Sequence, residues 1–102
     1  MSKLIFLDID GTLTEAGTNT PPDSAVRAME QARKKGHKLF LCTGRNPDML
    51  SPLLRYPFDG MVASSGGYVK VGDKVLYDHP IPAETLKLAL DTLHRNGVFC
   101  TI

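Results

Sequence analysis

Two carboxylates, Asp8 and Asp10, stand two residues apart in the segment KLIFLDIDGTLT, and Gly11 and Thr12 follow directly. Residues i and i+2 of an extended strand point to one face, so the pair is expected to converge. At about 4 Å, two full negative charges repel by about 4 kcal/mol in an effective dielectric of about 20. A proton on one carboxylate, a bound cation, or divergence where the strand ends would each relieve that repulsion. Oxygen ligands beside a phosphate favour Mg2+. Gly11 lets backbone N–H groups approach an anion closely. A bare Asp-x-Asp could equally be a solvated strand end. Here the pair follows a continuous apolar run and precedes Gly-Thr-Leu-Thr, which favours chemistry. A second polar cluster, Thr43-Gly44-Arg45, follows another apolar run, KLFLC.

The elements that must position these groups can be read in order. Residues 3–9 form an apolar run without alternation, the pattern of a strand buried on both faces in a parallel sheet. Residues 11–19 are rich in Gly, Thr and Asn and read as a loop. A helix follows, with Thr20 as N-cap, Pro21 at its first position and Asp23 completing a capping box. Its apolar face is Val26, Met29 and Ala32. Arg33, Lys34 and Lys35 complement its C-terminus, and Gly36 stops it. That basic trio reads as a solvated helix end rather than a binding patch. Residues 38–42 form a second buried strand, and Asn46-Pro47 opens a helix that Pro52 should shorten or kink. A third strand over 60–63, a small-residue turn over 64–67 and a hairpin around Gly72-Asp73 come next. After the linker His79-Pro80-Ile81-Pro82, a helix runs over 83–96 with Leu86, Leu90 and Leu93 on one face. A further strand is expected to start at Val98.

The order β-α-β-α-β, hairpin, α-β predicts an α/β protein with a Rossmann-like parallel sheet and right-handed crossovers. Ligands of such sheets bind beyond the carboxyl ends of the strands, where Asp8, Asp10 and Thr43-Gly44-Arg45 fall. The 102 residues suit one small domain. The chain carries 12 basic and 11 acidic residues, for a net charge of +1, so no charge excess points to nucleic acid or an anionic membrane. No stretch approaches the roughly 18 apolar residues of a membrane helix. Two cysteines are too few for a disulfide scaffold, so a reduced, cytoplasmic protein is expected.

FLDIDGTLT resembles the first motif of the haloacid dehalogenase (HAD) superfamily, D-x-D-G-T, and LCTGR resembles its second. The TGR form and the Ser-Gly-Gly-Tyr turn at residues 65–68 are similar to the Cof-type sugar-phosphatase branch. The resemblance implies an HAD-like core over residues 1–78 and the start of an α+β cap over 79–102. It implies a Mg2+-dependent phosphomonoester hydrolase acting on small phosphorylated metabolites such as sugar phosphates. Asp8 matches the nucleophile that becomes an aspartyl-phosphate. Asp10 matches the general acid/base. Thr43 and the Gly44 amide match phosphate-holding groups, with Gly11, Thr12 and Arg45 further phosphate or substrate contacts. The Asp8 carboxylate and the Asp10 carbonyl match Mg2+ ligands. A phosphomutase of the same superfamily shares these parts, and a non-catalytic phosphate-binding chain is a third reading. A response-regulator receiver is rejected, because its phosphorylated Asp ends the third strand, where this chain has Val62-Ala63-Ser64-Ser65.

The remaining candidates read as structural. His37 is taken as a turn residue, and His79 and His94 have no metal-site spacing. Cys42 is taken as an apolar filler of a buried strand, and Gly66-Gly67 as a tight turn. Ser65 stands where the branch usually carries Asn. The family's phosphate-steadying Lys and second acidic metal pair have no counterpart in these 102 residues. The chain is therefore expected to be an N-terminal portion of a longer polypeptide. By the resemblance its first strand would be an exposed edge, so poor solubility or self-association through that edge is expected.

Overall fold

The computed structural model describes residues 1–99. A five-stranded sheet runs in the order β1-β2-β3-β4-β5. Strands β1 (Leu4–Leu7), β2 (Lys38–Cys42) and β3 (Gly60–Ala63) are parallel. The hairpin of β4 (Tyr68–Val71) and β5 (Lys74–Asp78) joins antiparallel to β3. The sheet is therefore mixed, with the parallel part confined to three strands. Helices α1 (Asp23–Lys34) and α2 (Ala83–Arg95) lie after β1 and after the hairpin.

Helix α1 begins later than the capping-box pattern predicts. Its N-cap is Pro22, at φ −65° and ψ 155°, with no side-chain cap. A proline excludes helical geometry from the residue before it, so Pro22 keeps Pro21 extended and moves the start to Asp23. The stop at Gly36 is as expected. The His37 and Gly36 amides donate back to the Ala32 and Arg33 carbonyls at 3.1 and 2.9 Å, closing the helix in a Schellman turn. The segment opened by Asn46 is a 3-10 helix, Pro47–Leu53, in which Asn46 Oδ1 accepts the Met49 amide. Pro52 lies inside it.

Leu39 and Leu41 of β2 are buried with Ile9, Leu13, Met29, Leu50, Leu53, Met61 and Ala63. This core lies on the α1 side and clamps the loops at the strand ends from below. Strand β1 is not buried on both faces. Leu4 is 62% and Phe6 52% exposed, while Ile5 and Leu7 pack against the core. The reason is its place: β1 stands at the sheet edge, and on its second face Phe6 stacks on Phe40, ring centroids 5.1 Å apart, and stays half exposed.

Asp59 ties β2 to β3 through its amide, which donates to the Leu39 carbonyl at 2.7 Å, and through Oδ2, which accepts the Leu39 amide at 2.9 Å. Its other oxygen faces Arg33 at 3.6 Å. Gly60 then has no room for a side chain: a Cβ would overlap the Lys70 carbonyl oxygen and come within 2.9 Å of the Phe40 ring. Helix α2 has the predicted span within one residue but no buried residue; Leu86, Leu90 and Leu93 are half-buried. Val98 and Phe99 form no strand, and the rest of the strand expected there lies outside the described residues. No helix among the described residues is long and apolar enough to cross a membrane.

Candidate active site

Strand β1 ends at Leu7, so Asp8 and Asp10 lie beyond it in a turn rather than on an extended strand. The turn closes through the Ile9 carbonyl, which accepts the amides of Thr12, Leu13 and Thr14 at 3.0–3.1 Å. The buried Ile9 side chain anchors it to the core. The two carboxylates then engage different partners. Asp8 Oδ1 accepts the Ile9 amide at 2.9 Å, and Thr12 Oγ1 makes a long 3.4 Å contact to Oδ2. Asp10 Oδ1 accepts the Gly17 amide at 2.8 Å and Arg45 Nη2 at 2.6 Å, and its Oδ2 accepts Arg45 Nε at 3.0 Å.

Charge relief for the pair thus comes from the chain's own guanidinium. Hydrogen bonds from Arg45 and from the Gly17 amide hold the Asp10 carboxyl down at about 2, below its ordinary 3.8. Arg45 is itself steered by Asn19 Oδ1 at 2.6 Å and the Thr18 carbonyl at 3.0 Å. Its side chain points at the acidic turn.

Parallel pairing of β1 with β2 brings Thr43 and Gly44 beside Asp8. Thr43 is buried; its amide donates to the Val62 carbonyl at 2.9 Å, and its Oγ1 accepts the Arg45 amide at 3.1 Å. That leaves the hydroxyl proton for another acceptor. Among the described residues, the amide of Gly44 donates to no protein acceptor. Asp8, Cys42, Thr43, Gly44, Val62, Ser65 and Gly66 line an open cleft of about 450 Å³. Gly11 and Thr12 open instead onto a neighbouring cleft with Thr18, Thr20 and Asp23. The structure therefore gathers Asp8, Thr43 and Gly44, joins Arg45 to Asp10, keeps Thr12 in long contact with Asp8, and leaves Gly11 to one side.

Several participants escape the sequence reading. Gly17, Thr18 and Asn19 hold Asp10 and Arg45, yet their segment reads only as a polar loop. Ser65 and Gly66 line the cleft. The run of turn-forming residues signals a turn there, but nothing local says what the turn faces. Cys42 is exposed at the cleft rather than buried. It alternates with the buried Leu41 and Thr43, so it lies on the face of β2 opposite the core.

The donor set suits Mg2+. Asp8 Oδ2 has only the long Thr12 contact, and the Asp10 carbonyl accepts no hydrogen bond among the described residues. Both are hard oxygens, and Mg2+ commonly takes one or two protein oxygens and keeps several waters. No cluster of three His, Cys, Asp or Glu side chains forms among the described residues.

A family model described as haloacid dehalogenase-like hydrolase matches residues 5–102. The YkrA protein of Bacillus subtilis (strain 168) is 31% identical over 90 residues, which are 87% of this chain and 35% of that protein. The phosphoglycolate phosphatase of Metallosphaera sedula is 38% identical over 72 residues, 68% of this chain and 32% of that protein. Among solved structures, the HAD subclass IIB sugar phosphatase BT4131 superposes with a TM-score of 0.73 at 38% identity, over 95% of this chain and 38% of its own. The chain spans about a third of the length of the curated relatives it matches.

Proposed function

Because the chain belongs to the haloacid dehalogenase-like hydrolase family, we propose that it carries the nucleophilic site of a Mg2+-dependent phosphomonoester hydrolase. The observation that supports this reading is the cleft that Asp8 lines together with Thr43 and Gly44, whose amide is unengaged. An anionic nucleophile and neutral donors to a phosphoryl group are thereby held together on core-anchored loops.

Asp8 attacks phosphorus and forms an aspartyl-phosphate as the bond to the leaving oxygen breaks. Asp10 gives that oxygen its proton. Water then attacks the phosphoryl group and yields a proton to Asp10, releasing phosphate and restoring Asp8. Thr43 and Gly44 hold phosphoryl oxygens throughout. The Arg45 pairing keeps Asp10 ionised, the form that accepts a proton from water; for the donor step Asp10 must be loosened from Arg45. Mg2+ would be held by the Asp8 carboxylate and the Asp10 carbonyl, and when bound it screens the repulsion between Asp8 and the phosphate.

The substrate in this reading is a small phosphorylated metabolite, and the similarity to the sugar phosphatase BT4131 favours a sugar phosphate. Residues 1–78 serve as core and residues 79–102 as the start of a cap. The same reading places the protein in the cytoplasm, where an exposed thiol such as Cys42 stays reduced.

The test is Mg2+-dependent phosphate release from an aryl phosphate by the 102-residue chain and its Asp8→Asn variant. Release that falls by several orders of magnitude in the variant is expected. Equal release by both proteins, or none by either, refutes catalysis by this chain.

A further inference from the structure

Ser64 and Ser65 both adopt left-handed backbone, at φ 51° and 53°, immediately before Gly66 at φ 98°. Non-glycine residues occupy this region at an energetic cost, and such residues concentrate where their placement serves a site. Here the strain is held by the neighbouring loop. The Ser65 amide donates to the Thr43 carbonyl at 3.0 Å, and the Ser64 amide to the Arg45 carbonyl at 2.8 Å. Two backbone bonds thus dock the turn against the loop that carries Thr43 and Gly44.

The consequence is the position of one hydroxyl. Ser65 Oγ lies 3.4 Å from where a Cβ on Gly44 would sit, and Ser65 lines the same cleft as Asp8. Ser65 is exposed, and among the described residues its Oγ has no protein hydrogen-bond partner, so the hydroxyl is free to meet a group bound in the cleft. No Lys or Arg lines this cleft, and Arg45 is engaged with Asp10. A phosphoryl group there has three non-bridging oxygens to satisfy with neutral donors.

We propose that Ser65 is a substrate-contacting residue whose hydroxyl donates to a phosphoryl oxygen beside the Gly44 amide. The proposal deepens the phosphatase reading and rests on it. Ser65 extends the donor set from one loop to two, so the turn between β3 and β4 becomes a second wall of the phosphate site. Thr43 and Gly44 approach the phosphoryl group from the end of β2, and Ser65 approaches it from the end of β3.

Amide NMR spectra of the 102-residue chain titrated with inorganic phosphate in the presence of Mg2+ test this. Ser65→Gly removes the hydroxyl and adds no steric strain at a left-handed position. Ser64→Gly makes the same change at the neighbouring left-handed position and keeps the Ser65 hydroxyl. The Gly44 and Ser65 amides of the wild type should shift along one binding curve. The affinity should fall about tenfold in Ser65→Gly, the scale of a hydrogen bond to a charged group, and stay unchanged in Ser64→Gly. If Ser65→Gly binds phosphate as the wild type does, the role of Ser65 is refuted while the phosphate site stands. If the wild-type Gly44 amide does not move, the phosphate site itself is refuted, and the role of Ser65 falls with it.

Discussion

Arg45 grips Asp10 with two nitrogens, Nε to Oδ2 at 3.0 Å and Nη2 to Oδ1 at 2.6 Å, across 35 positions of sequence. The bidentate geometry is the strong form of an Arg–carboxylate contact. Arg45 is largely shielded while Asp10 is partly open to solvent, so the pair sits at the rim of the site rather than in its interior. It joins the end of β2 to the acidic turn after β1.

The grip sets the acid titration of Asp10. Its carboxyl is lowered to about 2 from an ordinary 3.8, chiefly by Arg45. A depressed carboxylate favours the folded state above its unfolded value, and that contribution is lost as pH falls through the folded value. The window here is pH 3.8 down to about 2. In Arg45→Ala, the side-chain carbon signal of Asp10 should titrate well above its wild-type midpoint. An unchanged midpoint would show that Arg45 does not hold Asp10 in solution.

Thr43 tests how the loop is braced. Thr43→Val keeps the shape but removes the oxygen that accepts the Arg45 amide at 3.1 Å. Leaving that partly buried donor unpaired should cost about 1–2 kcal/mol in urea unfolding. Phosphate affinity should fall in the same variant, since the hydroxyl donor goes too. A variant as stable as the wild type would argue that water replaces the bond.

Gly60 tests the sheet. Gly60→Ala forces a methyl group into the Lys70 carbonyl and the Phe40 ring. Overpacking of this kind costs about 1–3 kcal/mol, and backbone cannot yield as a flexible side chain can. A lowered urea midpoint with loss of β3–β4 amide protection is the expected outcome. Wild-type stability would mean the strands separate freely at that point.

The free edge of β1 gives the last prediction. It is an edge strand that exposes Leu4 and Phe6. Unpaired strand edges with apolar side chains recruit other strands. Sedimentation of the 102-residue chain should show concentration-dependent association, reduced in Phe6→Lys. A monomer at every concentration would refute association through β1.

Local pattern was enough to read strands β1 to β5, helices α1 and α2 and the Gly36 stop, because each depends on neighbours a few residues away. The late start of α1 is also local; the preference of Thr20 as a cap is overridden by consecutive prolines. Other features required the fold. Burial of β1 on one face alone follows from its place at the sheet edge, and exposure of Cys42 from its place on the face of β2 opposite the core. Arg45 reached Asp10, and Ser65 reached the Asp8 cleft, because parallel pairing of β1, β2 and β3 sets their carboxyl ends side by side. Residue types could point to the paired carboxylates Asp8 and Asp10, but which donors face them depends on strand order, and strand order is a property of the sheet rather than of any segment within it.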